Sequence, residues 1–230
     1  MTKVPGNWRS GRKSKHLPVS EYFYIFCEGQ ETEYNYFTRF KELISQNPVY
    51  RNRIAVEAEG TGRNTMSLLH YAEEVIKEKN VKNAKVWCVY DKDNFPDADF
   101  NGVITEVKKL NSKRQYGNEF HCAWSNECIE FWFLLHFCYM TSDIERQLYF
   151  KKLSENLEVK YEKNLNNIFD LLLDKGNPRL AIRYAKKILN EHEESLPSEI
   201  CPGTTVQNLV CSLAKYLPEE KKERFLDTEK

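Results

Sequence analysis

The chain lacks most of the features that place a protein in a class at once. Lys+Arg and Asp+Glu are both 34 and cancel, so no net charge announces a polyanionic partner. The cysteines number seven, an odd count, and none forms a C-x-x-C pair, which leaves neither a disulfide framework nor a zinc site with the usual spacing. The longest apolar run, Phe131 to Met140, is too short to span a bilayer and carries His136. The opening MTKVPGNWRS has no apolar core segment, which argues against a secretory signal peptide. No Walker loop and no Ser/His/Asp order is present, so neither a nucleotide-driven motor nor a nucleophilic-serine hydrolase is supported. Internal repeats and low-complexity linkers are absent as well. These absences lead us to expect a soluble cytoplasmic protein in which Cys27, Cys88 and Cys122, inside or beside apolar runs, act as small buried hydrophobes.

What the chain does have is alternation. Phe23 to Cys27 is a short apolar, aromatic run ended at Gly29 and followed by Tyr36, Phe37, Phe40, Leu43 and Ile44 at helical spacing. Arg53 to Ala58 then precedes a helical pattern from about Asn64 through Ile76, and Lys85 to Tyr90 precedes another from Phe100 to Leu110. A fourth strand, Glu119 to Trp124, leads into an almost wholly apolar helix over Glu127 to Tyr139. Strands alternating with helices at this spacing imply right-handed crossovers and a parallel sheet covered on both faces. From about Thr141 helices follow without strands, at Leu165 to Leu173, Arg179 to Glu193 and Thr205 to Leu217. We therefore expect an α/β protein with about four strands in a mainly parallel sheet. Its parts would be an N-terminal arm over 1–19, the sheet domain over 20–140, a helical extension packed on it over 141–218 and a charged tail over 219–230. In the arm, Lys3, Arg9, Arg12, Lys13 and Lys15 face no acid before Glu21, which reads either as a phosphate-contacting arm or as a solvated tail.

The chemistry concentrates in carboxylates at strand ends, where open α/β sheets place their ligands. Glu28 follows the first strand, with Thr32 as the expected N-cap of the next helix. Asp91 and Asp93 follow the third and, about 7 Å apart along an extended chain, share a face. With Glu28 they would make an all-oxygen set suited to Mg²⁺, although a strand-end Asp also serves as a turn or helix cap. Asp97, Asp99, Asn101 and Gly102 match the first half of an EF-hand loop, yet the twelfth position is Lys108 where a bidentate Glu is needed. Ser125 or Asn126 would cap the helix after the fourth strand and aim its N-terminus at a phosphate. Glu130 is a carboxylate in an apolar helix and demands a partner, a metal or a proton, whereas His136 reads as a satisfied core histidine.

Four blocks in order now carry a likeness. They are I-F-C-E-G-x-x-T-E-x-x-Y-F from Ile25, V-W-C-V-Y-D-K-D from Val86, S-N-x-C-I-E-F-W-F-L-L-H-F from Ser125, and Y-E-K at Tyr161 to Lys163. Together they resemble the RloB-like family, which is grouped with Toprim domains, the catalytic fold of topoisomerases, primases and OLD-type nucleases. The likeness covers nearly the whole chain and includes Pro202, Thr204 and Val206; it departs at Glu127, where the family usually has Pro. It implies a Toprim-like fold with Glu28 as general acid or base and Asp91 and Asp93 holding Mg²⁺, or Mn²⁺ in its place. Glu28 would also face the metal, and Thr32, Glu33, Ser125, Asn126, Glu130 and Lys163 would support the site or bind substrate, Lys163 as a phosphate-binding cation. The implied activity is metal-dependent cleavage of DNA or RNA in antiphage defence. The partners to look for are nucleic acid, an ATPase encoded nearby and a second copy of the chain. A non-catalytic module that binds nucleic acid or the ATPase through the same fold stands as the alternative.

Overall fold

The computed structural model describes residues 19–113 and 115–227, so the basic stretch from Lys3 to Lys15 lies outside the described residues. The sheet half of the chain runs β1 (Glu21–Cys27), α1 (Thr32–Gln46), β2 (Ile54–Gly60), α2 (Thr65–Glu78), β3 (Ala84–Asp91), α3 (Asp97–Lys113) and β4 (Glu119–Asn126). It continues through α4 (Ile129–Leu134), α5 (Arg146–Leu157), α6 (Ile168–Lys175), α7 (Pro178–Glu191), β5 (Gly203–Thr204), α8 (Val206–Ala214) and α9 (Glu219–Phe225).

The five strands lie in the order β2-β1-β3-β4-β5. The first four are parallel, and β5 joins antiparallel through Ser125 opposite Thr204 and Asn126 opposite Gly203. Parallel strands need helical crossovers, which bury both faces and favour the continuous apolar runs seen in β1 and β3. α2 and α3 cover one face, where Phe26 meets Tyr71 and Phe100 packs edge-on against both Tyr90 and Trp124. α1 covers the other, and its apolar stripe is the seat of an aromatic cluster. Tyr36 touches Phe133 of α4 and Phe169 of α6, and Trp132 Nε1 donates to Tyr36 Oη at 3.2 Å. The helices after residue 141 therefore share one hydrophobic core with the sheet. No helix among the described residues is long and apolar enough to cross a membrane.

The α/β architecture and the helical extension stand as expected, with differences at the edges. The fifth strand is two residues long, too short to leave an alternating pattern in the sequence. α4 stops at Leu134 rather than Tyr139 because the chain tightens into i→i+3 bonds there. The His136 and Phe137 amides donate to Phe133 O and Leu134 O, and the His136 carbonyl accepts Asn177 N–H at 2.8 Å. His136 is a core residue whose Nδ1 lies 3.1 Å from Trp132 O, and burial pushes its pKa down to about 4, leaving it neutral. α5 went unanticipated because Leu148 is exposed and Phe150 only half-buried beside the buried Tyr149, Leu153 and Leu157, which blurs the stripe. The Asp97 to Gly102 stretch is the first turns of α3, so its side chains fan around a helix instead of converging on calcium; Asp97 pairs with Lys92 at 3.0 Å.

The segment expected as a charged tail is α9 over its first seven residues, and it docks by one ring. Phe225 is buried with its ring centroid 5.6 Å from Phe40 and 5.9 Å from Phe169. Phe225→Ala should lower stability by about 3 kcal/mol in urea unfolding, the lower end for a buried Phe because a chain end can collapse partly into the gap. An unchanged midpoint would mean that α9 does not dock.

Candidate functional site

The two central strands, β1 and β3, end side by side, and each hands a carboxylate to the same edge of the sheet. Glu28 is fixed through its backbone from both neighbours: its N–H donates to Val89 O at 2.8 Å, and its carbonyl accepts Gly62 N–H at 2.9 Å. Asp91 sits across from it, and the Asp91 N–H donates to Glu28 Oε2 at 3.3 Å. The Asp91 side chain is buried, and its Oδ2 accepts Ile129 N–H, the first amide of α4, at 3.3 Å.

The chain then turns sharply. Asp93 adopts φ +41, a left-handed conformation that Asp tolerates better than most residues, and its amide donates to Glu127 O at 3.3 Å. Its carboxylate pairs with Arg146, the first residue of α5. From the other side, Glu33 in the first turn of α1 is buried and folds back over Gly29. A Cβ on Gly29 would fall onto the Glu33 carboxylate, so any side chain there would push that carboxylate aside. Glu130 is buried behind Asp91 and accepts a hydrogen bond from Tyr161 Oη at 2.9 Å. Thr32 Oγ1 donates to the Lys163 carbonyl at 2.8 Å, which ties the Tyr161 to Lys163 segment to the head of α1.

Between these groups lies an open cavity of about 430 Å³, lined among others by Glu28, Glu33, Asp91, Asp93 and Lys163. Its electrostatics are dominated by crowded acid. Burial pushes Glu28 up to about 7 against the opposing Asp91 amide, and Asp93 and Glu33 add to the rise. Burial raises Glu33 to about 7 as well, opposed by its own backbone amide and by Lys163, with Glu130 and Asp93 pushing it further up. Asp91 is raised well above the ordinary carboxylate range, first by burial and then by Glu33, Glu130, Asp93 and Glu28.

Among the described residues, no three His, Cys, Asp or Glu side chains come close enough together to ligate one ion directly. The donor chemistry nevertheless suits a hard cation. The cavity offers carboxylate oxygens without thiol or imidazole and has room for an ion that keeps several of its waters. Neutralising the mutual repulsion of Glu28, Glu33 and Asp91 is what such an ion would do there.

The chain matches the model of the RloB-like protein family over residues 23–213. It belongs to the RloB-like family. No curated protein and no solved structure matched it. The RloB-like span runs from β1 to the end of α8, so it takes in both the strand-end carboxylates and the Lys163 segment that closes over them.

Most of the residues singled out from the sequence thus meet at one cavity, but three of them act differently from expectation. Thr32 is the first residue inside α1 rather than its N-cap, Glu31 preceding it, and its hydroxyl holds the Lys163 carbonyl instead. Ser125 and Asn126 do not cap α4, whose N-cap is Cys128. Ser125 Oγ lies 3.2 Å from Thr204 Oγ1, and Asn126 Nδ2 donates to the carbonyls of Pro197 and Ser198, so both secure β4 against the chain that leads into β5. The α4 amide goes to Asp91 rather than to a free anion.

Three residues of this RloB-like chain without a role in the sequence belong to the site: Tyr161, Arg146 and Thr65. Tyr161 had a signal, its place two residues before Lys163 in the Y-E-K block. Arg146 had none, since it opens the helix that the sequence hides. Thr65 opens α2 at φ +28, rare for a β-branched residue, and its backbone N–H faces the Glu28 carboxylate.

The raised Glu28 pKa has a signed consequence for stability. Its folded value of about 7 lies above the 4.5 of the free side chain, so burial of the neutral acid is favourable below about 4.5 and that benefit is lost as the pH climbs through 7. In chelator, Glu28→Gln should melt close to the parent at pH 4.5 and several degrees above it at pH 8, by differential scanning fluorimetry. A constant gap between the two proteins across this range would show that Glu28 does not titrate as its burial dictates.

Proposed function

We propose that this chain is a Mg²⁺-dependent nuclease of the Toprim type, with Mn²⁺ able to replace Mg²⁺. It would cleave phosphodiester bonds of DNA or RNA in the cytoplasm, in antiphage defence beside an ATPase. The observation that carries this reading is the buried Asp91 beside Glu28 at the ends of the two central strands, with Glu33, Asp93 and Lys163 around the same open cavity. Acids crowded this way repel one another at a cost to the fold, and a site that turns over a phosphodiester uses that repulsion to draw a cation in.

Asp91 and Asp93 would hold the ion through carboxylate oxygens, most of its remaining shell being water. When bound, it would polarise a phosphate oxygen and acidify a coordinated water. Glu28 can exchange a proton near neutral pH, which suits it to take the proton of the attacking water or to return one to the leaving oxygen. Lys163 lines the same cavity, where its ammonium would meet a phosphate oxygen. Glu130 is held by Tyr161 and is one of the acids that raise Asp91.

A panel of single- and double-stranded DNA and RNA, incubated with Mg²⁺, Mn²⁺ or chelator, tests this reading. The parent should cleave at least one class in a metal-dependent way. The double variant D91N with D93N should lose cleavage by about 10²-fold or more. Its melting temperature should hold or rise, because Asp91 loses a charge crowded by other acids while Asp93 gives up only a partly exposed pair with Arg146. Gel-shift affinity for the cleaved class should largely survive, since phosphate contacts elsewhere remain. Cleavage retained by the folded double variant would place the chemistry elsewhere. Tight binding without metal-dependent cleavage of any class would favour the non-catalytic module.

A further inference from the structure

Arg146 is a cation from outside the sheet placed on one of the acids that the proposed metal needs. Among the described residues its only side-chain hydrogen bond is to Asp93 Oδ1, which leaves the other N–H groups of its five-donor fork unused. It stands at the very start of α5, and Asp93 is the acid it pairs with there. Both side chains are about one-third exposed, at 35% and 33%, so the pair faces water and can exchange partners without leaving a buried charge behind. A strongly charged pair deep in the fold would not have that freedom.

From this geometry we infer that Arg146 is a placeholder cation for Asp93. It occupies the carboxylate until a divalent ion displaces it, and the freed guanidinium then becomes a phosphate-binding arm for the nucleic-acid strand at the cavity. The inference rests on the metal-dependent reading above. A guanidinium fork matches two oxygens of a phosphate, and an arm released by the ion couples substrate capture to ion loading. The alternative role, a fixed structural ion pair, makes the opposite demand: removing Arg146 would then weaken both the fold and the site.

Two substitutions, Arg146→Gln and Arg146→Lys, separate these roles. Mn²⁺ alone is titrated into chelator-treated protein by calorimetry, and cleavage and substrate KM are measured in parallel. Removing a competitor should tighten Mn²⁺ binding in Arg146→Gln by about two- to fivefold. The same variant should cleave about tenfold or more slowly, mainly through a raised KM. Arg146→Lys keeps the charge and should bind Mn²⁺ like the parent, while recovering only part of the substrate affinity because the fork is lost. Mn²⁺ binding that is unchanged or weaker in folded Arg146→Gln overturns the placeholder role, and an unchanged KM overturns the arm. Absence of Mn²⁺ binding in parent and variants alike overturns the metal reading itself, and this inference with it.

Discussion

The constraint on which the site depends is the parallel register of β1 and β3, which brings the Asp91 amide onto the Glu28 carboxylate. Two acids at the ends of adjacent parallel strands are brought within one residue of each other by the register that pairs Phe26 with Cys88 and Cys27 with Val89. A slip of one residue would turn every side chain of a strand to the other face, so the register decides which groups meet at the strand ends. That register is secured by aromatic packing on both sides of the sheet, with Phe26 against Tyr71 on one face and Phe23 against Tyr216 on the other. The core can therefore hold the acids together although their own electrostatics oppose it. Hydrophobic burial is additive over many rings, whereas the opposition comes from a few charges whose protonation can relieve it.

Close backbone approach around Glu28 completes the constraint. The end of β2 comes against the turn after β1 so tightly that a Cβ on Gly60 would lie 2.7 Å from Gln30 Cα. This approach lets Thr61 and Gly62 donate their amides to Cys27 and Glu28 carbonyls. It leads directly into Thr65, whose left-handed backbone costs on the order of 1–3 kcal/mol and turns its amide towards Glu28. Strain of that size at one carboxylate is consistent with a position selected for chemistry rather than for stability. Asp93, two residues past the end of β3, tells the same story, its left-handed backbone turning the chain so that its carboxylate faces Arg146.

How much of this could be read from the sequence follows from the range of each interaction. The strands and their alternation with helices were legible because periodicity is local, and the strand-end position of Glu28 and Asp91 followed from where each apolar run stops. That Glu130 needs a partner was legible from its apolar setting; that the partner is Tyr161 was not, since 31 residues separate them. Ser125 and Asn126 misled because their residue types favour caps. Here the antiparallel β5 claims Ser125 and the Pro197 and Ser198 carbonyls claim Asn126, and neither claim leaves a trace at short range. The charged composition of 219–227 hid Phe225, whose burial is decided by Phe40 and Phe169 from distant parts of the chain.

The helices beyond residue 141 are best understood as part of the site rather than an appendage to it. The sheet supplies Glu28, Asp91 and Asp93, but the cations near them, Arg146 and Lys163, and the hydroxyl on Glu130 all come from the later chain. Without it the strand ends would lose the Arg146 pair on Asp93 and the Lys163 side of the cavity. The docking that brings these groups in is the aromatic cluster of Tyr36, Phe40, Phe133, Phe169 and Phe225, which joins α1 to α4, α6 and α9. α1 also begins at the site, with Thr32 on the Lys163 carbonyl and Glu33 over Gly29. One helix thus carries the ring cluster at its middle and the cavity at its head. Loosening the packing would move Lys163 and Glu33 together, and the charge balance of the cavity is in this way tied to the integrity of the core.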